Sequence, residues 1–381
     1  MTMTPLRPGP IATSAGSPPV LAATPYLLLD VGAAVARFTT IAAAFGTDAV
    51  HYATKANPHP ALIAALVRAG SRFDVASPAE VDLCVNAGAD PAHLVYSNPI
   101  KRRADIRYAA GRGVSIFAAD TVEEVAKLAD AAPGAAVLAR LATSGAGSDW
   151  PLSGKFGCAG ADVVPLLRLA AERGLQAAGV SFHVGSQQCD PQRWRAPIAQ
   201  AAAAYRELQA EGLRPWLLDI GGGLPAAHEG DFPCFQTYVD TIHQALGDYF
   251  AEPRPRLIIE PGRGVVGDAG VLVTEVVGVS WRGGRRWVYL DAGIYSGLVE
   301  TLGEAIRYRL TTDRDDDPRG PVVLAGPTCD SVDVLYERTP MQLPLSLREG
   351  DRVVFGSAGA YTSSYSTVGF NGFAPLPTVL T

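Results

Sequence analysis

Four side chains that could do covalent or acid–base chemistry each follow a short apolar run of the chain. Lys55 ends AVHYATK, where a buried amine with a lowered pKa can form a Schiff base. His183, in SFHVGSQQ, can stack on an aromatic ring. Glu260, in IIEPGRG, can hold a proton on a pyridine nitrogen. Arg263, three residues later, can make a bidentate bond to a phosphate.

The glycine cluster in LLDIGGGLP is the second candidate. Gly221, Gly222 and Gly223 leave backbone N–H groups open to an anion, and the Ser186 hydroxyl can contact a phosphate. The P-loop lysine and the full dinucleotide spacing are missing, so the pattern does not favour a nucleotide. A flexible turn is the alternative interpretation.

A third candidate is the segment GPTCDSVDVL near the C-terminus. Its turn could present the Cys329 thiol and the Asp330 carboxylate to a cleft, although a lone cysteine is often a buried apolar residue. The five cysteines are widely spaced and form no CxxC pair, so we expect neither a disulfide framework nor a structural metal site.

The elements that must position these residues alternate between short apolar runs and Ala/Leu-rich helical stretches, from about Ala49 to Pro261. Eight strands are predicted, the number that closes a TIM-type barrel. They are AVHYATK, SRFDVAS, HLVYSNP, VSIFAAD, AVLARLA, GVSFHVGS, WLLDIGGG and RLIIEPG. Segments such as PALIAALVRAG and ADVVPLLRLAAERG are predicted amphipathic helices.

Polar residues fall at or just beyond the end of each predicted strand, on the face where such barrels build their active sites. They are Lys55, Asp74, Asn98, Asp120, Arg140, His183, Asp219 and Glu260. Any one of them could simply start a helix, and Asp120 is predicted to be such an N-cap.

After Gly262 the sequence turns β-rich, with VLVTEVVGVS, RRWVYLD, PVVLAGP and DRVVFGS. We therefore predict a leader (residues 1–22), a segment joining the β domain (23–35), the barrel (36–263) and a C-terminal β-barrel or sandwich (264–381).

Bulk properties narrow the function classes. A formal charge of −6 and short, scattered arginine clusters argue against nucleic acid as a partner. No apolar run is long enough to span a membrane, and the Pro/Ser/Thr-rich start does not resemble a signal peptide. We expect a cytoplasmic protein with a disordered leader and no membrane partner.

Taken together, the motifs resemble a known family. KANP, FDVAS, HVGSQ, DIGGGLP, EPGRG, GPTCDSVD and GAYTSSY…FNGF occur in the order found in fold-type III pyridoxal 5′-phosphate (PLP) decarboxylases, the ornithine decarboxylase-like group. The resemblance runs from about Tyr26 to the C-terminus. It implies PLP as cofactor and an α/β fold like that of alanine racemase, a PLP-binding (β/α)8 barrel plus a C-terminal β domain.

The resemblance also implies residue roles in the barrel. Lys55 carries the cofactor, His183 stacks on its ring and Glu260 pairs with the pyridine nitrogen. Asp74, Glu80 and Arg140 orient the lysine and the cofactor face. The phosphate is bound by Ser186, Gly221, Gly222, Gly223, Arg263 and Tyr361.

In this family the partner subunit delivers the residues that match Cys329 and Asp330. Cys329 would reprotonate the substrate carbon after carbon dioxide leaves, and Asp330 would bind a distal amine. Tyr295 is a further predicted substrate-binding residue. The resemblance therefore implies a head-to-tail homodimer with shared active sites.

The resemblance implies a substrate class rather than a single substrate. GPTCDSVD and FNGF point to a distal amine, hence to L-ornithine or L-lysine and a diamine such as putrescine for polyamine synthesis. In the specificity helix, Glu300 or Glu304 could bind the ammonium group or could be solvated charges, and Gly303-Glu304 departs from the Tyr-Asp pair of eukaryotic ornithine decarboxylases. Gly264, where relatives carry an aromatic residue, leaves the pocket size open.

Three alternatives remain. The chain could decarboxylate diaminopimelate or a related diamino acid of a specialised pathway. A racemase would want a tyrosine base opposite Lys55 rather than the Cys329-Asp330 turn. A non-catalytic regulator would not need Lys55, Glu260, Arg263 and Cys329 intact.

Overall fold

The computed structural model describes residues 23–381, and the predicted leader at residues 1–22 lies outside them. The described chain forms two compact units. The barrel unit contains Val31–Pro225 and Asp231–Val266, and the β unit contains the residues up to Asp30, Ala226–Gly230 and Gly267–Thr381.

The strands of the described residues are β1 (Tyr26–Leu29), β2 (His51–Ala53), β3 (Arg72–Val75), β4 (Leu94–Tyr96), β5 (Ile116–Ala119), β6 (Ala136–Arg140), β7 (Ser148–Trp150), β8 (Gln176–Ser181), β9 (Ser186–Gln188), β10 (Leu217–Asp219), β11 (Arg256–Ile258), β12 (Gly270–Arg282), β13 (Arg285–Leu290), β14 (Leu310–Thr312), β15 (Arg319–Ala325), β16 (Val334–Pro344), β17 (Arg352–Phe355) and β18 (Thr378–Leu380). The α-helices are α1 (Val31–Phe45), α2 (Pro60–Arg68), α3 (Pro78–Asn86), α4 (Arg103–Gly111), α5 (Val122–Ala131), α6 (Gly160–Glu172), α7 (Arg195–Ala210), α8 (Phe235–Tyr249) and α9 (Arg263–Val266). None of the helices within residues 23–381 is long and apolar enough to cross a membrane.

The predicted barrel is confirmed. Eight parallel strands pair in the order β2, β3, β4, β5, β6, β8, β10, β11, and each lies within or overlaps a predicted strand. Backbone hydrogen bonds of 2.9 Å from His51 N–H to the Ile259 carbonyl and from Ile259 N–H to the Ala49 carbonyl join the last strand to the first. The sheet therefore closes on itself.

The strand register decides which side chains point into the barrel lumen. A cluster made only of strand residues fills it, comprising Val95, Ile116, Ala136, Leu138, Ala178, Leu217 and Ile258. Asp74 is the register partner of Val95, and Asp219 is the partner of Ile258. Because side chains alternate along a strand and register partners share a face, both carboxylates lie at the upper, C-terminal end of the lumen.

Helix starts follow ordinary capping chemistry, with one correction. The Ser77 hydroxyl accepts the Glu80 N–H at the start of α3, and the Thr121 hydroxyl accepts the Glu124 N–H at the start of α5. The N-cap predicted at Asp120 is therefore wrong by one residue. Asp120 instead accepts the Gly157 N–H at 2.8 Å, which ties the loop after β6 to the end of β5.

The β unit is a second eight-stranded sheet. Its main order is β14, β17, β12, β13, β15, β16, and β1 pairs with β12 and β18. The long strand β12 pairs with β1 and β17 along its first part and with β13 along its second, with a register shift between Val276 and Gly278. Large apolar side chains, among them Tyr308, Tyr336 and Phe355, fill its core.

Candidate active site

Lys55 lies in a single 3-10 turn (Thr54–Ala56) directly after β2. Its amine donates a hydrogen bond to the carboxylate of Asp74, which ends the neighbouring strand β3. The Asp74 side chain is fully buried, whereas 47% of the Lys55 side chain is exposed. The amine is thus held by a fixed carboxylate but stays accessible, rather than buried as the sequence suggested.

Glu80 supports this corner from the first turn of α3. One of its oxygens accepts the Ala76 N–H at 2.7 Å, and its own N–H binds the Ser77 hydroxyl at 3.2 Å. Burial raises the pKa of Glu80, and the Lys55 charge opposes that shift. These contacts fix the backbone immediately after the Asp74 strand.

Glu260 and Asp219 form a buried acidic pair on neighbouring strand ends, with 4% and 0% of their surface exposed. Burial, and then the charges of Asp219 and Asp74, raises the pKa of Glu260 well above its usual range. Burial also raises the pKa of Asp219 to about 6, although its carboxylate accepts the Gly221 N–H at 2.9 Å. Glu260 therefore carries a proton unless a cation is placed beside it.

Ser97 belongs to the same cluster and was missed by the sequence analysis. Its hydroxyl donates to Glu260 from the end of β4, and its surface is 6% exposed. The signal was present, because Ser97 directly precedes Asn98, the polar residue singled out at that strand end.

His183 follows β8 with its imidazole in a defined tautomer. The Gly185 N–H donates to Nδ1 at 3.0 Å, so Nδ1 is the acceptor and the proton of the neutral ring lies on Nε2. Burial, and then the charges of Arg140 and Lys55, lowers the pKa of His183 to about 3. The ring is therefore neutral at ordinary pH, as stacking on an electron-poor ring requires.

The glycine triplet after β10 is required by close packing. A Cβ on Gly222 would lie 2.5 Å from the Glu260 carbonyl oxygen and 3.2 Å from Nε2 of His183. Gly223 has φ of +109°, and a Cβ there would lie 2.8 Å from the Gly185 carbonyl oxygen. Side chains at these positions would displace the loop that carries His183.

Arg263 is a buried cation in this region, with 3% of its surface exposed. Its Nε and Nη2 atoms lie 3.3 and 3.4 Å from the Ser186 hydroxyl oxygen. A buried guanidinium beside a hydroxyl and a glycine loop fits a phosphate group. Glu260 could ionise beside a protonated pyridine nitrogen, and Arg263 with Ser186 could bind a phosphate. The barrel residues therefore fit both ends of PLP.

Gly264 begins the close contact of α9 with the rest of the barrel unit. A Cβ there would lie 2.6 Å from the Cβ of Leu224. An aromatic side chain at this position would have no room without a shift of Leu224.

The β unit brings together two predicted substrate-binding residues, Tyr295 and Asp330, and the predicted catalytic residue Cys329. The Tyr295 hydroxyl donates to Asp330 at 2.9 Å, and the other Asp330 oxygen accepts the Val332 N–H at 2.9 Å. These two bonds lower the pKa of Asp330, the backbone bond more strongly. Cys329 is exposed beside them, with its sulfur 3.6 Å from the Asn371 amide oxygen.

Asp333 holds this turn and was not singled out by the sequence. Its carboxylate accepts the Ile294 N–H at 2.8 Å with one oxygen, and the Thr328 N–H and hydroxyl at 3.1 and 2.7 Å with the other. It therefore links the Tyr295 loop to the Cys329 turn.

The remaining predicted residues are placed differently. Both Glu304 oxygens accept backbone N–H groups of β16, from Glu337 at 2.9 Å and Thr339 at 3.1 Å among others, which favours a structural role over the predicted substrate contact. Glu300 is buried, with 2% of its surface exposed. Tyr361 is half-buried after β17, with φ of +56° and its ring 5.5 Å from that of Tyr365.

Comparison with known proteins identifies the family of this chain. The model of the pyridoxal binding domain of pyridoxal-dependent decarboxylases matches residues 31–267. The lysine/ornithine decarboxylase of Selenomonas ruminantium is 33% identical over 358 residues, covering 94% of this chain and 89% of that protein. Antizyme inhibitor 2 of Xenopus laevis is 31% identical over 368 residues, covering 92% and 80%.

Solved structures are similar over the same span. The lysine/ornithine decarboxylase of Vibrio vulnificus complexed with putrescine has a TM-score of 0.83 and 33% identity, with 94% of each chain covered. The arginine decarboxylase of Paramecium bursaria Chlorella virus bound to agmatine has a TM-score of 0.86 and 29% identity, with 94% of this chain and 96% of that one covered. This chain therefore belongs to the pyridoxal-dependent decarboxylases, carboxy-lyases that use PLP as cofactor.

Proposed function

We propose that the enzyme decarboxylates a basic L-amino acid of the ornithine or lysine type, releasing carbon dioxide and a diamine such as putrescine for polyamine synthesis. The observation that carries this proposal is the Tyr295–Asp330 pair, 2.9 Å apart, beside the exposed Cys329. A carboxylate held in its ionised form is suited to an ammonium group. The charged side chains of the Gly326–Asp333 turn are both acidic, which favours a distal amine over a distal carboxylate.

PLP, once bound, supplies an electron-poor ring that accepts the electron pair left when the substrate carboxylate departs. Lys55 presents the amine that binds the cofactor covalently, and Asp74 keeps that amine at the strand end. Glu260 holds a proton at the ring nitrogen, helped by Ser97. Neutral His183 would stack on the cofactor ring. Burial, and then the charge of Arg140 at the end of β6, lowers the pKa of His183 and keeps its ring neutral.

A second group of barrel residues is proposed to bind the phosphate of PLP. Arg263 and Ser186 supply one charged and one neutral donor. The glycine loop at Gly221, Gly222 and Gly223 supplies backbone N–H groups. Tyr361 is the further residue proposed to bind this phosphate, through its hydroxyl.

We propose that the active enzyme is a homodimer in which Cys329 and Asp330 act on the site of the other subunit. Exposed apolar side chains occur around this turn, including Val332, Val368 and Phe373, which are 51%, 84% and 44% exposed. Exposed apolar residues in one region are typical of an interface. Phe370 packs on Tyr295 with ring centroids 4.4 Å apart, so the substrate pair adjoins this surface.

The proposed substrate class is tested by carbon dioxide release from L-ornithine, L-lysine, L-arginine and meso-diaminopimelate, with PLP-loaded enzyme. The highest kcat/KM is expected for ornithine or lysine. Asp330→Asn should raise KM for these substrates by about tenfold or more, because one charge-assisted contact is lost. Preference for diaminopimelate would favour the biosynthetic alternative, and isomerised product without carbon dioxide would favour a racemase.

The shared site is tested by mixing two inactive variants, Lys55→Ala and Cys329→Ala, after dissociation and reassociation. A mixed dimer contains one site with both native residues, so random mixing should restore about a quarter of wild-type activity. No recovery, with mixed dimers present by native mass spectrometry, would show that both residues act in the same subunit.

A further inference from the structure

Three basic side chains line the opposite, N-terminal end of the barrel lumen. His51 begins β2 and Arg72 begins β3, and the two are register partners. Arg256 begins β11, which adjoins β2 where the barrel closes. All three occupy the lumen-facing positions, two residues before Ala53, Asp74 and Ile258 on the same face. We call this group the barrel floor.

The floor contains buried nitrogen atoms without a protein partner. Within residues 23–381, Nη1 of Arg72, Nε and Nη2 of Arg256 and Nε2 of His51 are buried and form no hydrogen bond. Only 12% of the Arg72 side chain and 0% of His51 are exposed. Leaving guanidinium donors unpaired away from water is costly, so the site favours a ligand that supplies acceptors.

The balance of charged side chains around the barrel floor favours an anionic ligand. Nη2 of Arg72 pairs with Asp48 at 2.8 Å, and the Asp48 side chain is 84% exposed. Burial, and then the Arg72 charge, lowers the pKa of Arg256, while Asp48 opposes that shift. His93, which lies 3.7 Å from Asp90, adds only a minor charge effect that lowers the pKa of His51. Two guanidinium groups close to one carboxylate therefore leave a net positive floor.

The tautomer of His51 indicates which kind of anion the barrel floor can bind. Its Nδ1 lies 3.1 Å from the Ala49 carbonyl oxygen, which can only accept, so Nδ1 carries the proton. Burial, and then the charges of Arg256 and Arg72, lowers the pKa of His51 to about 3, although the bond to Ala49 opposes this. Nε2 of the neutral ring is therefore a bare acceptor. The floor offers three donors and one acceptor.

We propose that the barrel floor binds a small oxyanion that carries a proton on one oxygen, namely hydrogen phosphate or bicarbonate. The unprotonated oxygens accept from Arg72 and Arg256, and the O–H donates to Nε2 of His51. Sulfate and chloride satisfy the arginines but have no proton to donate at neutral pH. The site lies at the opposite end of the barrel from Lys55 and does not depend on the proposed substrate.

The direct test is equilibrium dialysis of PLP-loaded enzyme with labelled phosphate, at constant ionic strength. The holoenzyme is used because PLP then occupies the phosphate site near Arg263. One extra phosphate per subunit is expected, displaced by bicarbonate and about tenfold less well by sulfate or chloride. Absence of that extra phosphate would overturn the proposal and would mean that water alone satisfies the floor.

Variants locate the site. Arg256→Gln should weaken phosphate binding by about tenfold or more. The control Arg254→Gln, at an exposed arginine paired with Glu252, should not change it. His51→Phe should keep anion binding but reduce the preference for phosphate over sulfate to about twofold or less. An unchanged preference in His51→Phe would contradict the role of Nε2.

A measurement on wild-type enzyme avoids dependence on folding of the variants. In 15N spectra of histidine-labelled holoenzyme, phosphate should shift the Nε2 signal of a histidine protonated on Nδ1, and sulfate should not. Equal shifts with both anions, or none with phosphate, would refute the proposed O–H bond.

Discussion

Burial, and then the charges of the neighbouring Asp219 and Asp74, raises the pKa of Glu260. Such a carboxyl is neutral until a cation approaches, and a protonated ring nitrogen is such a cation. We therefore propose that Glu260 selects the electron-poor form of the cofactor and would be stabilised by it. Ser97 fixes the orientation of the carboxyl by donating to it.

Replacing Glu260 with Gln should lower kcat by about 10² to 10³, because the stabilisation of charge in the transition state is lost. PLP should still bind through Lys55. Stopped-flow carbon dioxide release and PLP content measure the two effects separately, with the exposed Glu252→Gln as control. A variant with wild-type kcat would remove the proposed role of Glu260.

Gly264 supports a second prediction at this scale. Gly264→Ala should destabilise the protein by about 1–3 kcal/mol, because its Cβ would meet Leu224 at 2.6 Å. Gly278→Ala is the matched control, since nothing lies within 4 Å of a Cβ there. Urea unfolding of both variants measures the difference, and equal stabilities would contradict the packing argument.

At the scale of elements, buried polar side chains hold the loops that follow the strands. Lys101, in the loop after β4, donates to the Asn98 carbonyl at 2.8 Å and pairs with Glu124 of α5 at 3.0 Å. Both side chains are buried, with 0% and 2% exposed. This ion pair ties α5 to the loop that contains Ser97.

Lys101→Met should cost about 3–5 kcal/mol of unfolding free energy, because it leaves the Glu124 charge buried with fewer partners. The double variant Lys101→Met/Glu124→Leu should recover most of that loss. Chemical denaturation of the single and double variants tests this, and additive losses would show that the two side chains are not coupled.

The sequence predicted those elements whose signal is local. All eight barrel strands and the strand-end residues Lys55, Asp74, His183 and Glu260 follow from apolar runs and their ends. Within the described part of the β unit, β14, β16 and β18 were not predicted, because their apolar pattern is weak.

Contacts between distant residues were not predictable in the same way. Ser97 and Glu260 are 163 residues apart in the chain. Glu304 makes its backbone contacts with β16, and Asp333 bridges two loops. A local sequence pattern does not encode such contacts between distant segments. The buried polar groups of the barrel floor come together only when the barrel closes, so the sequence did not predict them either.

At the scale of the whole molecule, two buried histidines link stability to pH. Burial is the main cause that lowers the pKa of His51 and of His183 to about 3 from 6.5. The unfolded chain therefore binds more protons between these values, and stability is lost as pH falls from about 6.5 towards 3. The raised pKa of Glu260 acts in the opposite direction, contributing stability that is lost as pH rises through it.

His51→Gln should therefore reduce the slope of unfolding free energy against pH by about 1.4 kcal/mol per pH unit between pH 4 and 6. Unfolding in phosphate-free buffer measures this slope. The exposed His243→Gln is the control, and an equal slope in wild type and His51→Gln would contradict the buried neutral state.

We propose that this chain uses PLP held by Lys55 to remove the carboxylate of a diamino acid. The most direct measurement follows carbon dioxide and diamine together, from carboxyl-labelled L-ornithine and L-lysine, with PLP-loaded wild type and Lys55→Ala. Equal amounts of carbon dioxide and putrescine or cadaverine from wild type, with release by Lys55→Ala lower by about 10² or more, are predicted. Absence of labelled carbon dioxide from both substrates with PLP bound, or undiminished release by Lys55→Ala, would contradict it.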